Sequence, residues 1–124
     1  MTEQITPKSE LEELNSIISP PHLDDIKLVD EMVKESGKTP FEIALIRMHT
    51  NPNPDLVNAA LSLCDDLPPP HKALILAEAF ESLAEIYERA VVKEEDPESV
   101  KKRLEAREKV GKLREFARKK LTTP

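Results

Sequence analysis

Residues 70–94 read PHKALILAEAFESLAEIYERAVVKE, and this stretch decides the fold. Ala73, Leu76, Ala77, Phe80, Leu83, Ala84, Tyr87 and Val91 recur at helical spacing and share one side of an α-helix. Leu74, Ile75, Ala79 and Ile86 carry the apolar surface further round the cylinder. A helix apolar over so much of its girth belongs at the centre of a bundle.

The segment that follows is different. Residues 97–121 keep only a narrow apolar line of Ala106, Val110, Leu113, Ala117 and Leu121, the spacing of a coiled-coil seam. Between the two lies the short link Glu95-Asp96-Pro97-Glu98, which predicts an antiparallel helical hairpin.

Proline punctuates the rest of the chain. Its missing N–H is harmless at the first helical position, and it pushes the preceding residue out of the α region, where an N-cap sits. Thr6-Pro7, Ser19-Pro20, Thr39-Pro40, Asn53-Pro54 and Asp96-Pro97 each pair a short oxygen-bearing side chain with such a proline. Glu42 stands three residues after Thr39, completing a capping box, and Leu23 is placed to staple against Ile18. Gly37 is a left-handed stop for the helix before it.

Six helices follow, over about 7–18, 21–36, 40–50, 54–66, 70–94 and 97–121. The shorter ones carry stripes of Leu11, Leu14 and Ile18; Leu23, Ile26, Val29 and Val33; Phe41, Ala44, Leu45 and Met48; and Val57, Ala60, Leu61 and Cys64. The expected fold is all-α: one domain over residues 1–124, a compact bundle of about six helices ending in a long antiparallel hairpin.

Composition agrees. The chain has 124 residues, enough for one domain, with 39% hydrophobic and 34% charged residues. Two glycines against eleven prolines exclude a glycine-rich phosphate cradle. A single Cys excludes an intrachain disulfide framework and a cysteine-built zinc site. No apolar run is long enough to span a membrane, and the first residues lack the pattern of a secretory signal, so a cytoplasmic location is expected.

Charge is divided unevenly along the chain. Residues 1–96 hold 8 Lys/Arg against 20 Asp/Glu, a net of −12, whereas residues 97–124 hold 10 against 4, a net of +6. Such asymmetry points to an interaction surface. Three uses of it compete. Arg103, Arg107 and Arg114 can neutralise the stripe Glu78, Glu81, Glu85 and Glu88 within the hairpin. The seam Val110, Leu113 and Ala117 can instead face another subunit, so that the basic helix docks on a neighbour's acidic body. Finally, Lys101, Lys102, Arg103, Arg107, Arg114, Arg118, Lys119 and Lys120 can meet nucleic-acid phosphates, although residues 1–96 repel a polyanion.

Other constellations have simpler explanations. His22 and Asp25 are neighbours on a helix surface, but Asp24 and Asp25 suit a first turn without any metal. Cys64, on an apolar stripe beside Asp65 and Asp66, behaves as a small hydrophobe rather than an activated thiol. His49 suits the exposed carbonyls of a helix end. The acid pairs Glu12-Glu13, Asp24-Asp25, Asp65-Asp66 and Glu94-Glu95 lie in solvated runs with no apolar wall. Residues 37–44 with 55–61 look like one ankyrin repeat, but the spacer from His49 to Pro54 is too long and no second copy occurs.

No catalytic residue, cofactor or metal is therefore expected. The reading is a non-enzymatic interaction module (an adapter, assembly factor or inhibitor) that self-associates through its C-terminal helix. Its partner-binding residues would be Lys101, Lys102, Arg103, Arg107, Val110, Leu113, Arg114, Ala117, Arg118 and Lys119. The alternatives are nucleic-acid binding through residues 97–124, or an acidic nucleic-acid mimic that blocks a basic partner.

Overall fold

A computed structural model describes residues 7–51, 53–64, 66–94 and 97–122. Among these, the chain forms six helices and no strand: α1 (Pro7–Ile17), α2 (Leu23–Ser36), α3 (Pro40–Thr50), α4 (Pro54–Ser62), α5 (Pro69–Glu94) and α6 (Pro97–Thr122).

The capping chemistry sets two of the starts. Thr39 is extended and its hydroxyl accepts from the Glu42 N–H at 3.1 Å, while the Glu42 carboxylate accepts from the Thr39 N–H at 2.9 Å. Asn53 opens α4, its side-chain Oδ1 accepting from the Asp55 and Leu56 N–H groups. Gly37 closes α2 in the left-handed region at φ 74°, and its N–H returns to the Val33 carbonyl. Thr6 and the residues 95–96 of the expected hairpin link lie outside the described residues.

The start of α2 corrects the expectation. Helix formation waits until both Pro20 and Pro21 have passed, and His22 is the extended N-cap with no side-chain cap bond. Pro21 disfavours helical geometry at the residue before it, so the helix cannot begin at Pro20. Leu23 is then 66% exposed and staples nothing. α4 is also shorter than expected. Its end tightens into i to i+3 bonds, Leu63 N–H to Ala60 and Cys64 N–H to Leu61, and Cys64 stays buried just beyond it.

One core joins all six helices. Leu14 and Ile18 from the α1 end meet Val29 of α2, Ile43, Ala44 and Met48 of α3, and Val57, Ala60 and Leu61 of α4. Into this cluster α5 sends Ala73, Leu76, Ala77 and Ala79, and α6 sends Val110, Leu113, Phe116 and Ala117. Phe41, Leu11 and Leu121, placed on apolar stripes by their spacing, are exposed. Each sits at an end of its helix or of its stripe, where the neighbouring helix no longer covers it.

The two 26-residue helices, each about 39 Å long, pack side by side as the dominant contact of the fold. The body formed by α1–α4 covers only one part of this hairpin. Ala84 and Ala106 are buried between α5 and α6 but lie outside the shared core, so this end of the hairpin extends beyond the body.

Candidate interaction surface

The hairpin is laced on both flanks with a seven-residue repeat. On one flank Arg107 donates to Glu88 at 2.8 Å and Arg114 to Glu81 at 2.5 Å. On the other, the Lys102 ammonium lies 6.0 Å from the Tyr87 ring centre and Lys109 lies 5.6 Å from that of Phe80. Partners descend α5 as they ascend α6, which is the signature of antiparallel helices. Between the flanks run buried apolar residues, mostly alanine: Ala77 and Ala84 on α5 against Ala106, Val110 and Leu113 on α6.

This geometry fixes the status of each residue singled out in the sequence. Val110, Leu113 and Ala117 are buried within the chain, so the seam is filled by α5 and the body and is not presented to a second subunit. Arg107 and Arg114 are held by the acidic stripe of α5. Arg118 bonds Glu115 one turn back at 2.5 Å. Arg103 is half-buried, and its Nε is buried with no hydrogen-bond partner. Lys101, Lys102 and Lys119 are exposed.

Beyond that set, Lys120 reaches Glu13 of α1 at 3.2 Å and Lys112 reaches Glu108 at 3.8 Å. At least five of the ten basic residues of α6 thus meet a carboxylate: Arg107, Lys112, Arg114, Arg118 and Lys120. The positive charge of α6 is to that extent offset inside the molecule. The two pairs that cross the hairpin, Arg107–Glu88 and Arg114–Glu81, are about half exposed, so each contributes ~0.2–1 kcal/mol at most. The Arg118 hydrogen bond holds the Glu115 carboxyl below its usual range, and Glu115 in turn raises Arg118.

The Lys–aromatic flank was not read from the sequence, although Phe80 and Tyr87 stand seven apart, as do Lys102 and Lys109. It borders a cleft of about 450 Å³ between hairpin and body. Phe80, Leu83, Tyr87 and Lys109 form the hairpin wall, and Asn51, Asn53, Asp55 and Asn58 face it. Asn58 also donates to the Ser19 carbonyl at 2.8 Å, tying α4 to the link between α1 and α2. Among the described residues, no group of three or more His, Cys, Asp or Glu side chains is arranged to hold a metal ion. No described helix is long and apolar enough to cross a membrane.

Comparison with protein-family models, with curated proteins and with solved structures returns no match. The functional reading therefore rests on this geometry alone.

Proposed function

We propose that this chain is a protein-interaction module, a small adapter, assembly factor or inhibitor acting in the cytoplasm by contact rather than by catalysis. The observation that carries this reading is the hairpin end that extends beyond the body. There Ala84 and Ala106 are buried yet lie outside the shared core, while Ile86 and Leu104 remain 42% and 57% exposed. A two-helix projection with large apolar side chains outside is a surface shaped to be covered. The self-association first attached to the α6 seam moves to this projecting end, because Val110, Leu113 and Ala117 are occupied within the chain.

Nucleic-acid binding is less well supported, since five basic residues of α6 already meet carboxylates. Mimicry of nucleic acid is weakened likewise, because Arg107 and Arg114 neutralise part of the acidic stripe. Fluorescence anisotropy of the full chain with duplex DNA and single-stranded RNA, at about 50 and 200 mM salt, tests the choice. The expected result is no salt-sensitive binding. Binding that weakens steeply with salt and disappears in a Lys101→Glu, Lys102→Glu variant overturns the interaction-module reading.

A further inference from the structure

The cleft between hairpin and body gathers three of the chain's four asparagines, Asn51, Asn53 and Asn58, on its body wall. Two of them are pinned by one end of the amide. Asn53 Oδ1 accepts from the Asp55 and Leu56 N–H groups, and Asn58 Nδ2 donates to the Ser19 carbonyl. The other ends, a donating Asn53 Nδ2 and an accepting Asn58 Oδ1, have no partner among the described residues, and nor does the Asn51 side chain. On the hairpin wall stand Phe80, Leu83 and Tyr87, all half-buried. Lys109 is half-buried too, its ammonium 5.6 Å from the Phe80 ring centre, with no carboxylate partner among the described residues.

The cleft continues as a groove. A second hollow of about 190 Å³ shares Phe80, Leu83, Tyr87 and Lys109 with it and runs along the hairpin to Lys102. Lys109 and Lys102 stand about 10.5 Å apart along α6, the length of about three extended residues. We infer that this groove binds an extended peptide segment of a partner protein, with an acidic residue of that segment beside Lys109. The inference rests on the interaction-module reading and gives it a site. An asparagine amide offers a donor and an acceptor, as each peptide unit does, so the unspent asparagine groups match a main chain. The aromatic and leucine surface opposite receives an apolar side chain of the segment. Burial decides the charge. Asp55, Lys102 and Glu105 border the groove but are exposed and screened by water, whereas Lys109 acts from a half-buried position, where a charge is felt more strongly.

The contact is small. A segment of a few residues buries less than the ~1,000 Å² of a stable protein interface. Binding is accordingly reversible, with a dissociation constant between ~10 μM and ~1 mM.

Side-chain amide signals in heteronuclear NMR report on the groove directly, because the chain has four Asn and one Gln. The isotope-labelled full chain is titrated to ~5 mM with a capped hexapeptide in which glutamate precedes leucine and the other residues are alanine. The amide signals of Asn51, Asn53 and Asn58 are expected to shift along one binding curve, while Asn15, outside the groove, stays in place. The same peptide with lysine for glutamate is expected to bind at least ~3-fold more weakly. N-methylation of its central amides, which removes main-chain donors, is expected to weaken it similarly. Asn51→Ala is expected to do so from the protein side, and circular dichroism verifies that each variant folds. Lys109→Glu is expected to reverse the preference between the two peptides; if that variant does not fold, Lys109→Gln is expected to abolish it. Unshifted asparagine signals at ~5 mM peptide, or shifts indifferent to N-methylation and to Asn51→Ala, overturn the groove as a main-chain site. A preference unchanged in the folded Lys109 variant overturns the acidic contact. Only the nucleic-acid result above overturns the reading beneath them.

Discussion

Glu81 and Arg114 meet at 2.5 Å, seven residues along each helix from the place where Glu88 and Arg107 meet at 2.8 Å. One register therefore governs this flank of the hairpin, and the Tyr87–Lys102 and Phe80–Lys109 contacts obey the same interval on the other. The repeat belongs to a short antiparallel coiled coil whose stripe is mostly alanine.

The ion pairs align the hairpin more than they stabilise it. In a double-mutant cycle of Glu81→Ala and Arg114→Ala, urea unfolding should give a coupling no larger than ~1 kcal/mol. Raising the salt to ~1 M should reduce it further, since both side chains are about half exposed.

Stability resides in the covered side of α6. Leu113 is fully buried and Leu104 is mostly exposed, although both are leucines of one helix. Leu113→Ala should cost ~2–5 kcal/mol, through lost burial and the cavity it leaves. Leu104→Ala should stay within ~0.5 kcal/mol. Chemical denaturation of the two variants measures the contrast.

Deletion of residues 97–124 should unfold the whole domain. It removes Val110, Leu113, Phe116 and Ala117 from the shared core and uncovers Ala77 and Ala84 of α5. Loss of the helical signal and of the cooperative thermal transition is the expected outcome. A folded, cooperative fragment ending at Asp96 would contradict the single core.

The two glycines should respond in opposite directions to alanine. Gly37 sits at φ 74°, so Gly37→Ala should destabilise by ~1 kcal/mol through backbone strain, because an added Cβ meets nothing within 4 Å. Gly111 lies within α6, and its added Cβ is equally unobstructed. Gly111→Ala should stabilise by ~0.5–1 kcal/mol. Differential scanning calorimetry should place the two melting temperatures on either side of the wild type.

Acid should cost the wild type slightly more than Glu115→Gln. Folding lowers the pKa of Glu115 below its ordinary 4.5, chiefly through the Arg118 hydrogen bond. Its contribution is therefore complete above that ordinary value and is lost as pH falls through the lower folded one. The Glu115→Gln variant has no such proton to gain. Melting temperatures at about pH 6 and pH 3 should show the wild type falling further, and added salt should narrow the gap.

Much of the architecture is legible because local and tertiary signals agree. Thr39-Pro40-Phe41-Glu42 and Asn53-Pro54 specify their helix starts through groups that bond within a few residues, so nothing distant can override them. The same logic misleads at Ser19-Pro20, where a second proline delays the helix to Leu23. Cys64 misleads differently: its burial was legible, but it is achieved by a turn after α4 rather than by the helix itself.

The candidate surface was harder to read. Charge arithmetic puts Arg107 and Arg114 beside the acidic stripe, and the structure pairs both. It does not reveal that Val110, Leu113 and Ala117 are covered within the chain. A narrow apolar line looks the same whether its cover comes from the same chain or another. Nor does periodicity show where the body ends along α5, which alone separates buried Ala79 from exposed Ile86.

The seven-residue interval has one more consequence. Sliding α6 along α5 by a heptad would bring Arg114 to Glu88 and Lys109 to Tyr87, trading like for like. The rungs are thus degenerate: they enforce spacing without choosing among positions. The choice falls to groups that occur once, Leu113 and Phe116 seated in the core and Lys120 reaching Glu13 on α1. The small helical body works as an index mark for a ladder that carries none of its own.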